Sequence, residues 1–104
     1  RVFQFYQRWL IACLCQPWTA RAQAVFVVTG VPERIRPRYG DRSTQYLFLE
    51  AGHLAQNLLL QATSLGLGAV PLGAFTEERL QNLLHLDPAW EAVLGVIPVG
   101  TIFE

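Results

Sequence analysis

Tyr46 to Phe75 reads YLFLEAGHLAQNLLLQATSLGLGAVPLGAF, and the reading of this stretch decides the fold. Leu47, Ala51, Leu54, Leu58, Ala62 and Leu65 recur at helical spacing, which predicts an α-helix. Phe48, Gly52, Ala55 and Leu59 form a second row beside the first, so that Glu50, His53, Asn57, Gln61 and Ser64 make only a narrow polar stripe. A helix that is apolar over most of its circumference is usually buried over most of it. From about Ser43 to Leu65 such a helix would span roughly 35 Å. That is too long to bury inside one small domain, and part of it is expected to pack against something outside this chain.

Composition points the same way. The 104 residues suffice for one small domain with one core. Hydrophobic residues make up 52% and charged residues 15%, which is apolar for a free-standing domain. A well-packed core is one explanation. Surface meant for another subunit or for missing chain is the other, favoured because the excess is concentrated in one helix. Eight basic and eight acidic residues cancel to a net charge of zero, which leaves no electrostatic footprint for nucleic acid or an anionic membrane. Arg34, Arg36, Arg38 and Arg42, with Glu33 and Asp41 among them, read as a solvated loop.

Cys13 and Cys15 stand one residue apart, a spacing that suits neither a structural disulfide nor a complete zinc site. They read as reduced thilols of a cytoplasmic protein, partly buried. No signal peptide is legible, and the run Ile11 to Cys15 is too short to cross a bilayer. The chain contains no methionine, which suggests that it is cut from something longer.

Working outward, Val2 to Cys15 reads as a helix ended by Gln16-Pro17. Ala24 to Thr29 (AVFVVT) is a β-branched and aromatic run closed by Gly30, hence a buried strand. Val31 to Gly40 holds two prolines, three arginines and a glycine and reads as an irregular, extended connection. Asp41 or Ser43 is the expected cap of the long helix. That helix should stop at Gly66 and Gly68. Ala69 to Leu72 should form a short edge strand interrupted by Pro71. Thr76, Glu77 and Glu78 open a helix that runs to about Leu86. Asp87-Pro88 turns the chain into a final strand, Ala92 to Val99. The order implies an α+β or α/β layout without repeats.

No stand-alone catalytic motif is present: no GxGxxG after a strand, no Walker loop, no HExxH and no GxSxG. His53 and Asn57 share a helix face but lack further metal-ligating partners beyond Glu50, and His53 reads as a core or interface histidine. Glu50 and Arg79 read as surface charges. The turn Leu65 to Phe75 has three glycines within eight residues, which let backbone come close to a neighbour that side chains would exclude. It is either a helix stop with a tight bend, or a backbone edge laid against a flat ligand.

The pattern AGHLAQNLLLQATSLGLGAVPLGAF, then a short helix ending LLHLD, then a strand ending IPVG, resembles the C-terminal half of the FMN-dependent nitroreductase family. Within that family it is most similar to the SagB-type dehydrogenases, which include the azoline oxidases of peptide natural-product pathways. LIACLCQPW, ARAQAVFVVTG and PRYGDRSTQY extend the resemblance upstream to about Leu10.

The resemblance implies an α+β, nitroreductase-like three-layer sandwich, present in part. It implies a mixed, mostly antiparallel sheet, with residues 1–104 forming the C-terminal portion of a single domain. It also implies a homodimer through the long helix 43–65, with FMN at the subunit interface and a small-molecule or peptide-derived substrate. Pro71, Leu72 and Gly73 would correspond to the segment whose backbone lies against the isoalloxazine ring near N5 and O4, where an N–H favours the charge gained on reduction. Arg38 and Tyr39 match a Lys-Tyr pair implicated in removing the substrate proton. An arginine stays protonated and does not act as a base, though it can clamp a carboxylate. The family's phosphate-gripping Arg-Arg-Ser-type motif lies in the half that this chain lacks, so at most half of a flavin site is expected here. The expected function is that of an FMN-dependent dehydrogenase. A general NAD(P)H-dependent nitroreductase, or a non-catalytic dimerising remnant, is the alternative.

Overall fold

The computed structural model describes residues 22–101. The helix expected over Val2 to Cys15, and with it Cys13 and Cys15, lies outside them. In chain order the elements are β1 (Ala24–Gly30), α1 (Pro32–Tyr39), a 3-10 turn (Gly40–Arg42), α2 (Ser43–Ser64), β2 (Leu67–Ala69), α3 (Glu77–Leu83) and β3 (Ala92–Thr101).

β3 is the centre of a three-stranded sheet, with β1 on one side and β2 on the other. Every strand pairing among the described residues is antiparallel. Ala24 stands opposite Val99, Phe26 opposite Ile97 and Val28 opposite Gly95, after which Thr29 meets Val93. The skipped residue, Leu94, is a bulge, and a bulge re-aims side chains locally. Thr29 Oγ1 donates to Glu91 Oε2 and ties the end of β1 to the start of β3.

The two sheet faces are covered differently. Val25 and Val27 of β1, with Val93 and Val96 of β3, pack with Leu72, Phe75, Leu80, Leu83 and Leu84. α3 therefore lies on this face, pinned by Leu80, which has no exposed surface. The opposite face carries Val28, Gly30, Gly95 and Ile97 and meets α2. Gly30 marks the closest approach: a Cβ there would lie 2.7 Å from Leu94 Cδ1 and 3.1 Å from Leu47 Cδ1. Helix, sheet and helix form three layers, as expected.

α2 keeps the expected bounds to within one residue, but its burial is lopsided. Leu47, Ala51 and Ala62 are buried, whereas Leu54 is 48% exposed and Leu65 63%. Phe48, Leu49 and Leu60 are more than half exposed. The helix is apolar where nothing in the described chain covers it. No helix among the described residues is long and apolar enough to cross a membrane.

Four expectations need correction. Val31 to Gly40 is not an irregular connection, because Pro32–Tyr39 is helical. Pro32 sits in the first turn, where its missing N–H costs nothing and its fixed φ suits a helix. Pro37 removes one intrahelical bond, to the Glu33 carbonyl, which water can satisfy on an exposed helix. Neither Asp41 nor Ser43 caps α2: Arg42 is the capping residue, without a side-chain bond. The Ser43 hydroxyl instead donates to the Gly40 carbonyl at 2.6 Å. The short strand comes earlier than Ala69 to Leu72. Gly66, at φ +75°, turns the chain at once, so pairing starts at Leu67. α3 ends at Leu83 rather than near Leu86, followed by His85 in the left-handed region at φ +57°.

Candidate functional site

A cleft of about 190 Å³ opens between α2 and the sheet. Phe48, Ala51, Gly52 and Ala55 line it from the helix, Val28, Leu94, Gly95 and Ile97 from the strands, and Pro71 and Leu72 from the segment after β2. Its shape follows from small residues. A Cβ at Gly52 or at Gly95 would meet nothing within 4 Å, so each glycine leaves open the space into which a side chain would project. The result is an apolar slot with no charged side chain among its lining residues.

The segment after β2 supplies the slot's polar rim. It continues along β3 beyond the strand proper: the Val70 N–H donates to the Pro98 carbonyl at 3.2 Å, and the Leu72 N–H to the Val96 carbonyl at 2.8 Å. Donors alternate in an antiparallel ladder, so residues 70 and 72 point inward and 71 and 73 outward. The outward position 71 is a proline, which has no N–H to leave unpaired. At Gly73 the N–H makes no backbone hydrogen bond among the described residues. Leu72 is buried, and the residues on either side of it are exposed.

Arg38 and Tyr39 sit apart from this cleft's lining, at the C-terminal end of α1. Tyr39 packs against Tyr46 of α2, with centroids 4.7 Å apart and planes tilted by 57°. The Arg38 guanidinium lies over the Tyr39 ring at 5.5 Å. Both side chains are exposed. The structure therefore groups the expected residues in two sets, Pro71 and Leu72 in the cleft wall, and Arg38 with Tyr39 on a neighbouring helix end. Gly73 follows the wall without lining it.

His53, Asn57, Glu50 and Arg79 are all exposed, so His53 is not a core residue of this chain. No group of three potential metal ligands forms among the described residues. The residues that sequence reasoning missed are Gly95 and Gly52. A glycine inside the strand AVLGVIPV is a signal for close approach or a bulge; here it stands beside the bulge at Leu94, and no atom comes close to it.

Comparison with known proteins gives the arrangement a family. The model of the nitroreductase family matches residues 4–101. A nitroreductase-family protein of Methanocaldococcus jannaschii is 40% identical over 94 residues, which cover 90% of this chain and 46% of the relative. The solved structure of a nitroreductase-family protein from Anabaena variabilis superposes with a TM-score of 0.86 at 30% identity, over 95% of this chain and 20% of that one. The E. coli microcin synthetase McbBCD complex, with truncated pro-MccB17 bound, matches with a TM-score of 0.72 at 24% identity, over 77% of this chain and 30% of that one. The fold is nitroreductase-like, and the described part is a portion of it. The chain spans less than half the length of the curated relative it matches.

Proposed function

Because the chain belongs to the nitroreductase family, we propose that it builds one part of a flavin-dependent oxidoreductase, with FMN as the cofactor and its ring in the slot between α2 and the sheet. The observation that carries this reading is the slot itself, apolar on both walls, held open at Gly52 and Gly95, and edged by a backbone segment with an outward N–H. The residues present fit a flat ring. They do not provide for a phosphate, because no cation lines the cleft, so that contact falls to protein outside the described residues. When bound, the flavin would supply a two-electron acceptor at N5.

The chain's own residues have separable roles. Bonds from Val70 and Leu72 to β3 fix the rim, so the Gly73 N–H can be presented without reorganisation, the condition under which a donor favours developing charge. Phe48, Ala55 and Leu94 keep water from the ring face. We assign the substrate as a small or peptide-derived azoline-like ring, a SagB-type reaction. In such a reaction the flavin would supply the acceptor for the hydride, and Tyr39 is the residue we assign to take up the departing ring proton as it passes its own hydroxyl proton to solvent. Arg38, a fixed charge above the Tyr39 ring, orients that side chain and does not itself accept the proton. Supporting this assignment are the Arg38-Tyr39-Gly40 segment and the likeness to a chain of a microcin synthetase complex whose structure holds a pro-microcin. A homodimer through residues 43–65 would cover the exposed face of α2 and bring a second copy to the open side of the slot.

The test is flavin retention by the full-length protein. After FMN addition and gel filtration, the absorbance spectrum should show about one flavin per subunit. Gly52→Leu should cut retention at least tenfold with an unchanged circular dichroism spectrum, since leucine is a better helix former than glycine. A full-length protein that keeps no flavin, or a Gly52→Leu variant that keeps all of it, would overturn the assignment. With flavin bound, an azoline-containing peptide should lose two hydrogens per ring by mass spectrometry. Turnover only with NAD(P)H and a nitro compound would replace the azoline reading with that of a general nitroreductase.

A further inference from the structure

α1 has no buried residue. It carries Arg34, Arg36 and Arg38, and Arg42 follows in the next turn. Arg36 is neutralised by Glu33, its Nε 2.9 Å from Oε1. Arg34, Arg38 and Arg42 have no ion-pair partner among the described residues, and the first turn of α2 holds no acidic residue. Residues 32–42 thus set four arginines against Glu33 and Asp41, a net positive segment on a chain that is neutral as a whole.

Arg34 and Arg38 are one helical turn apart, which places their Cβ atoms on one face at about 6 Å. The Arg38 guanidinium rests on Tyr39, and Tyr39 rests on Tyr46. Stacking occupies a guanidinium's flat face and leaves its N–H edge free for a two-pronged bond to a carboxylate. In an extended peptide, side chains two residues apart share a face at roughly 6.5–7 Å. The two spacings match.

We infer that Arg34 and Arg38, the latter seated over Tyr39, which packs on Tyr46, form a binding site for an extended peptide with acidic residues at alternate positions, flanked by Arg42. The inference rests on the proposed function only in taking a peptide as the substrate.

The test uses the full-length protein, the Nε–Hε NMR signals of its arginines, and a five-residue peptide with Glu at positions 1, 3 and 5. The Arg34 and Arg38 signals should shift saturably, and less so as salt is added. Arg34→Gln should weaken binding at least fivefold, Arg34→Lys by less, and Arg79→Gln not at all. Absence of a saturable shift would overturn the inference, as would an equal response to the peptide with Gln in place of Glu. Inorganic phosphate shifting the same signals as strongly at equal concentration would also overturn it, since the patch would then read charge alone. Retained flavin without peptide binding sinks this inference and leaves the proposed function standing. Peptide binding without flavin does the reverse.

Discussion

At Gly30 two layers meet with no room for a methyl group. The nearest atoms to a Cβ there are the ends of two leucine side chains, Leu94 on the bulge and Leu47 on α2, and both would have to move. Gly30→Ala should therefore destabilise the fold by only about 1 kcal/mol, the low end for overpacking, because the crowding atoms are leucine tips that can swing aside, read as a slightly lowered midpoint in urea denaturation. Leu94→Ala in the same background should restore part of the loss. An unchanged midpoint in the single variant would mean that the sheet and α2 can slide apart at no cost. Arg38 shows a different residue-scale effect. The resemblance places it where lysine stands in the azoline oxidases, and the structure stacks it on an aromatic ring, a contact that a planar guanidinium makes well.

The elements were unequally legible in the sequence. α2 was readable because its apolar residues keep helical spacing over more than five turns, and β1 and β3 because β-branched runs end at glycine. α1 was not, since two prolines in ten residues mask a helix whose stability owes nothing to burial. Tyr39 on Tyr46, seven residues apart, and Arg36 on Glu33, three apart, are side-chain contacts that composition does not reveal. The cleft was half legible: Pro71 and Leu72 belong to a glycine-rich turn that stands out, whereas Gly52 and Gly95 acquire meaning only when the sheet faces α2 across them. α3 is too short to persist alone and depends on the anchor at Leu80. Leu80→Ala should cost about 2–5 kcal/mol, and hydrogen exchange should show α3 losing protection before α2. Simultaneous loss in both helices would mean that the two faces of the sheet unfold as one unit.

As a whole molecule the chain is an incomplete enclosure. The exposed side of α2 offers Phe48, Leu49, Leu54 and Leu60, each about half exposed or more, apolar side chains that no described part of the chain covers. Expressed alone, the chain should self-associate in analytical ultracentrifugation, and Leu60→Glu should raise the monomer fraction. A monodisperse monomer before substitution would show that the exposed row needs no cover.

Pro71, described above as the rim of a slot, also gives the sheet a direction of growth. A strand added along residues 67–73 would find no donor at Pro71 and only three residues of true strand beside it. β1 presents seven residues with neither proline nor charge to another backbone. Among the described residues, a further strand that joins this sheet, from a longer chain or a neighbouring molecule, therefore has one hospitable border, and the same border is where misassembly would begin.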